Sequence, residues 1–238
     1  MHQIVLQSIP GYVVHESVFK DAVEAEKARY EALFLFEQRL KTRGFSLVAG
    51  VDEAGRGPLA GPVVAGAVIL PEAVELPGLN DSKVLSPNKR AYLAEQICAI
   101  ALSWSVGVAS VAEIDALNIR RASFLAMRRA LEALRFKPDY VVVDGSPIPG
   151  LPLPQTGMVR GDARVAAVAA ASIIAKVTRD RLMEEIHREF PQYGFSRHKG
   201  YPTREHFESL AKFGPTPHHR RTFGPVKSSL RGVELLND

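Results

Sequence analysis

Four carboxylates stand where runs of apolar residues meet something else. Asp52 and Glu53 follow LVAGV, Asp144 follows YVVV, and Asp162 precedes the small-residue run VAAVAAASIIA. Hard divalent cations of the magnesium type take oxygen ligands, commonly one or two carboxylates together with water and substrate phosphate. Adjacent carboxylates cost on the order of several kcal/mol to bury without a compensating cation. Four in one pocket would repel one another, and two ions about 4 Å apart would relieve that repulsion. Such a pair suits phosphodiester hydrolysis, one ion activating water and the other stabilising the leaving oxygen.

Each acid also has a plain structural alternative. Asp162 after Gly161 is a candidate helix N-cap, and Asp144-Gly145 reads as a turn. The Asp52-Glu53 pair is the hardest to treat so, because Gly55-Arg56-Gly57 follows at once. Successive side chains on a strand point to opposite faces, so the pair converges only if the chain turns near Ala54-Gly55.

The elements that must hold these acids follow from periodicity. FSLVAGVD and PVVAGAVIL read as two strands joined by an irregular Gly-rich connection, and antiparallel pairing suits them. Ser86-Pro87 is a helix start, and Leu93, Ile97 and Ile100 give that helix its inner face. SWSVGVAS alternates as a strand, 111–117 is a short helix, and Phe124, Met127, Leu131 and Leu134 mark a longer one before Pro138. YVVVDG and QTGMVRG are further strands. A long helix is expected over 162–189, apolar nearly all round in its first half and so deep in the core. A short helix at 203–213 precedes a tail rich in Pro, His and Arg. Alternating strands and helices after an opening pair of strands predict an α/β fold with a mixed sheet. In such sheets sites form beyond the carboxyl ends of strands, where Asp52, Glu53 and Asp144 fall.

At the N-terminus, residues 1–15 lack a clear period and are expected to be a loosely held arm. Tyr30, Leu33, Phe36 and Leu40 give 16–42 a helical stripe. The 238 residues suit one large domain or one domain with a small attachment. Lys and Arg number 30 against 26 acids, a net charge of +4 that barely favours a nucleic-acid partner. The single cysteine excludes an internal disulfide and any cysteine-rich metal site. No secretory signal or membrane-spanning run stands out, so a cytoplasmic location without membrane contact is expected.

VAGVDEAGRGPLAGPVVAGAVIL (48–70) resembles the opening signature of bacterial ribonuclease HII. LNDSKVLS, YVVVDG, VRGDARV, AASIIAKVTRDR, QYGFSRHKGYPT and HHRRTFGPV resemble later blocks of that family, in order, over about 46–228. The resemblance implies a ribonuclease H-like fold: a mixed five-stranded sheet flanked by helices, with a helical C-terminal part. It implies a catalytic domain at 45–228, with 1–44 an N-terminal extension and 229–238 a tail. It gives Asp52, Glu53, Asp144 and Asp162 as catalytic metal-binding acids, with two Mg²⁺ or Mn²⁺ ions in the substrate complex. The implied partners are RNA–DNA hybrid and duplex DNA with embedded ribonucleotides, cut 5′ to the ribonucleotide to leave 3′-hydroxyl and 5′-phosphate ends. Removal of ribonucleotides and RNA primers from DNA is the implied role, performed by a monomer; nothing points to a protein partner.

For substrate contact the resemblance points to Gly55, Arg56 and Gly57, whose backbone can approach a ribose and its 2′-hydroxyl. Tyr201 is implied to pack on the neighbouring sugar, and Lys83 to meet a phosphate. Arg197, Lys199, Arg204, Arg220 and Arg221 are expected to extend a basic track. Asp180 reads as a helix-surface acid paired with Lys176. The histidines 198, 206, 218 and 219 lack the spacing of a zinc site.

Overall fold

A computed structural model describes residues 16–72 and 74–234, so the expected arm at 1–15 lies outside the described residues. Five strands form one sheet: β1 (Val48–Ala54), β2 (Val63–Ile69), β3 (Ser103–Ala109), β4 (Tyr140–Asp144) and β5 (Gln155–Met158). Their spatial order is β3-β2-β1-β4-β5. β2 runs antiparallel to both β1 and β3, while β1, β4 and β5 are mutually parallel neighbours. β1 is therefore the centre, and Val51 pairs with Val143 at its carboxyl end.

Helices cover both faces: α1 (Glu16–Lys41), α2 (Pro87–Ile100), α3 (Val111–Leu117), α4 (Ile119–Glu132) and α5 (Ala166–Glu189). The C-terminal part adds α6 (Phe195–His198), α7 (Arg204–Phe213) and α8 (Gly224–Glu234). Ala49 and Val51 of β1 join the core built with Ala122, Ala126 and Ala130 of α4. Gly50 faces the other way, against α5. A Cβ there would lie 2.1 Å from the carbonyl carbon of Ala167, and one at Gly66 of β2 only 2.4 Å from the Ala171 oxygen. Glycines in the sheet and alanines in the helix let the two backbones touch, which explains why the first half of α5 carries so little bulk. Residues Ala166 to Ala171 are all fully buried.

Ser86 caps α2 as its sequence predicts, accepting the Lys89 backbone N–H, with Pro87 in the first turn. α5 differs from its expected start. Gly161–Ala163 form a separate 3₁₀ turn, and Ala166 opens the helix. Arg160 sits in the left-handed region (φ 57°), and Arg164 (φ −129°) leaves helical geometry, so the chain turns twice before the helix begins. Val165 at the α5 cap position supplies no side-chain bond. The missing cap comes from α1, where the Glu37 carboxylate accepts the Ala167 N–H at 2.8 Å. Leu33 and Leu40, one turn to either side of Glu37, are buried with it.

The sequence reading placed only a tail after residue 213. α8 occupies part of it, and the expected boundary at 228 falls inside that helix.

Candidate active site

The strand register sets the geometry of the acids. Asp52 follows Gly50 by two residues and so faces α5; Glu53 faces α4. Asp144, one residue beyond the Val51–Val143 pair, leaves the sheet beside Asp52. The turn at 161–163 brings Asp162 to the same place, tied by a 2.7 Å bond from the Gly161 N–H to Asp144 Oδ1. Asp162 is thus a turn residue aimed at the strand ends, and the helix-cap alternative for it is not realised. Carboxylate oxygens of Asp52, Asp144 and Asp162 all lie within 4.8 Å of one another.

Glu53 stands beside this triad on the α4 side. It lines a cleft with Asp144, Arg56, Arg120 and Phe124, and it accepts a bond from Arg56 Nη1 at 3.1 Å. Three of the four acids expected from the sequence therefore share one pocket, and the fourth adjoins it through Asp144.

The electrostatics are those of a site short of cations. Asp52 is 3% exposed. Burial pushes its carboxyl well above the usual range, and the negative charges of Glu53 and Asp144 push it further. The Ser172 hydroxyl and the Glu53 N–H (2.7 Å to Oδ1) partly oppose this. Burial likewise raises Asp162, with Asp81 and Asp144 adding to it and Lys83 opposing. Glu53 is raised by burial, opposed by Arg56. Lys83 reaches Asp162 Oδ2 at 3.3 Å, but its side chain is 72% exposed, so screening weakens the pair. An all-oxygen donor set held close at such cost fits a hard divalent ion of the magnesium or manganese kind.

The Gly55-Arg56-Gly57 loop is shaped from far along the chain. Gly55 has φ +98°, and a Cβ there would strike Arg179 Nε at 2.0 Å, so no other residue fits. Arg179, 1% exposed, donates to the carbonyls of Pro62, Lys199 and Ala60 at 3.0, 3.0 and 3.1 Å. Arg220, fully buried, donates to those of Gly55, Arg56, Gly61 and Pro62. Burial first, and Arg179 second, push the Arg220 guanidinium down to about 9. Eight bonds to six carbonyls take the place of a carboxylate partner for the two cations. Tyr201 stands over the loop, its ring 3.7 Å from where a Gly57 Cβ would be, and is 43% exposed.

Arg220 therefore does not extend a basic track; it is an internal brace. Arg197, Lys199 and Arg204 are surface residues, each facing a carboxylate: Glu205, Glu184 and Glu208. Lys176 pairs with Asp180 as its spacing suggests, and Arg90 approaches the same acid at 3.6 Å. Arg179 escaped the sequence reading, although Ser172, Lys176 and Arg179 recur at one-face helical spacing, a signal that polar groups on α5 turn toward the site.

Two histidines hold the C-terminal part together. The Thr216 backbone N–H donates to His219 Nδ1 at 2.9 Å, so the His219 proton is on Nε2. That nitrogen donates to His206 Nε2 at 3.0 Å, and His206 Nδ1–H then donates to the Tyr201 carbonyl at 2.9 Å. The chain of bonds ends on the residue that overlooks the glycine loop.

A mixed five-stranded sheet with two aspartates at the ends of its central strands and a third from a following turn defines the ribonuclease H-like class. The ribonuclease HII family model matches residues 49–226. Ribonuclease HII of Geobacillus kaustophilus is 52% identical over 212 residues, covering 89% of this chain and 81% of its own. That of Moorella thermoacetica is 54% identical over 202 residues, covering 85% and 98%. The crystal structure of ribonuclease H2 from Pyrococcus horikoshii superposes with a TM-score of 0.68 at 30% identity, over 79% of this chain and 99% of that one. The chain belongs to the ribonuclease HII family and is a ribonuclease H, an endoribonuclease of RNA–DNA hybrids.

Proposed function

We propose that this enzyme also nicks duplex DNA at embedded ribonucleotides, on the 5′ side, leaving 3′-hydroxyl and 5′-phosphate ends. The observation that carries the reading is the triad of aspartate oxygens within 4.8 Å, set beside a loop in which Gly57 leaves its Cβ side open up to the Tyr201 ring. Asp52, Asp144 and Asp162, with Glu53 adjoining, are the residues that would hold two Mg²⁺ or Mn²⁺ ions. The chemistry those ions supply when bound is a water of lowered pKa and Lewis-acid stabilisation of the departing 3′-oxygen.

The chain's own residues bind and orient. Backbone groups of Gly55, Arg56 and Gly57 take the 2′-hydroxyl, the group that separates RNA from DNA. The exposed face of Tyr201 packs on the adjoining sugar, where a ribonucleotide meets DNA. Arg56, whose side chain is exposed beyond its bond to Glu53, would hold a neighbouring phosphate with its planar fork. Lys83, exposed and flexible, meets another phosphate. No side chain need act as nucleophile, and the 2′-hydroxyl serves recognition only.

The catalytic unit in this reading is 45–228, with 1–44 an extension and 229–238 a tail. The enzyme works as a monomer in the cytoplasm on ribonucleotides and RNA primers left in DNA. Among the described residues no helix is long and apolar enough to cross a bilayer.

The test is a duplex carrying one ribonucleotide, incubated with Mg²⁺, with Mn²⁺, or with EDTA. Nicking in either metal, its loss in EDTA, and its loss in Asp144→Asn with duplex binding retained are expected. Wild-type cutting by Asp144→Asn, or cutting in EDTA, refutes the ligand assignment.

A further inference from the structure

The outer face of α4 carries cations that nothing neutralises. Arg120 and Arg121 are exposed and Arg128 is half-buried. Among the described residues none of the three has a carboxylate oxygen within 4.0 Å. Their neighbour Arg129, by contrast, is held by Glu113 at 2.6 Å. With Phe124, Leu125 and Pro149 the three arginines line an open groove of about 580 Å³. Arg128 donates to the Pro149 carbonyl and so fixes the far wall, while the Arg120 guanidinium lies 5.8 Å from the Phe124 ring centre.

Two observations say what lies there. First, Arg120 and Phe124 also line the cleft of Glu53 and Asp144, so the groove is continuous with the acidic site. Secondly, a polyanion approaching that site needs positive charge nearby, and the chain's overall excess is only +4. Around Tyr201, Arg197, Lys199 and Arg204 are paired with acids, Arg179 and Arg220 are buried and Arg221 is exposed; α4 adds a further uncommitted cationic surface beside the strand ends. Arg120 and Arg128 are eight residues apart on a helix, a rise of about 12 Å. That matches the axial rise of roughly three to four nucleotides of one strand.

We propose that this groove holds the phosphate backbone of the substrate on one flank of the cleaved bond. Arg121 and Arg128, about 10 Å apart along the helix, contact phosphates roughly three nucleotides apart on one strand there, and Phe124 packs on a sugar or base between them. The inference rests on the cleavage reading above for its direction of approach, and it extends the footprint beyond the glycine loop and Tyr201.

The experiment measures binding of a single-ribonucleotide duplex of about 30 base pairs in EDTA as a function of salt. Wild type is compared with Arg121→Gln, Arg121→Gln/Arg128→Gln and Arg121→Lys/Arg128→Lys. Arg121 is exposed, so its single variant tests the groove even if the double variant folds poorly. The slope of log K against log salt should shrink by about 1 in the single Gln variant and about 2 in the double. Affinity near ~0.15 M salt should fall several-fold, and the Lys variant should keep the wild-type slope. Shortening the duplex on one flank, and not the other, should erase the difference between wild type and Gln variants. An unchanged slope and affinity in the Gln variants overturns the proposal and leaves the groove to an acidic protein partner. Because binding is read without metal, the outcome is separate from any failure of cleavage in Mg²⁺.

Discussion

Asp52 is the residue at which function and stability oppose each other. Its folded pKa is raised above the unfolded one, so its contribution to stability is complete below about pH 4 and is lost as pH rises through the folded value. Near neutrality without metal, keeping this carboxyl buried is therefore a burden on the fold. Asp52→Asn, which keeps an oxygen for the Glu53 N–H, should melt higher than wild type in EDTA at pH 7.5. The rise should be about 2–4 °C for each kcal/mol relieved. Added Mg²⁺ should raise wild type more than the variant, narrowing the gap. Calorimetry with and without metal reads both; a variant melting at or below wild type in EDTA would contradict the assignment. The position of this acid was legible because a charged pair at the end of an apolar run conflicts with burial. The buried state of Arg179 and Arg220 was not: a guanidinium satisfied by carbonyls leaves no partner residue to read.

Among the elements, α1 carries the least expected contact. Its stripe of Leu33 and Leu40 was readable from spacing, whereas Glu37 on the same inward side looks like any solvated helix acid. It is buried because α5 begins after two turns of irregular backbone and brings no cap of its own. Glu37→Ala would leave the buried Ala167 N–H without an acceptor, costing about 1–3 kcal/mol. Glu37→Gln would retain one. Burial pushes the Glu37 carboxyl up to about 7, opposed by the Ala167 N–H and Lys41. Its stabilising share is thus present below about 4.5 and lost as pH rises through 7. The melting temperature of Glu37→Gln relative to wild type should climb between pH 5 and pH 8, and that of Glu37→Ala should lie below both at pH 5. A pH-independent difference would mean the carboxyl does not titrate there. The same irregular backbone explains why Asp162 was misread as the start of a long helix: Arg160 in the left-handed region is not a residue that announces a turn.

For the whole molecule, most of the architecture could be read ahead. Strand periodicity located the sheet, and the ends of its strands located the acids. What stayed hidden was the C-terminal part, where His198, His206, His219 and Arg220 look like members of a solvent-facing tail and are in fact its interior. His219 is held down to about 3, by burial first and then by His206 and His218. Neutral in the fold and ordinary when unfolded, it gives stability that is complete above about pH 6.5 and lost as pH falls toward 3. Protonation of His219 would also set its Nδ1–H against the Thr216 backbone N–H, a donor facing a donor. Mild acid should therefore loosen 193–220 before the sheet. Amide hydrogen exchange at pH 5 against pH 7.5, corrected for intrinsic rates, should show protection lost at Tyr201 and His219 while β1 keeps its own. Equal loss everywhere would exclude a local weak point.

The two internal arginines have a consequence for how the protein is made. All five strands, every carboxylate of the pocket and Arg179 lie ahead of residue 190, but Arg220 and the Lys199 carbonyl come later. On the ribosome the acidic pocket can assemble while the Gly55–Pro62 loop still lacks most of its bracing. Under the reading proposed above, selection for a ribose would be completed after the acids are already in place.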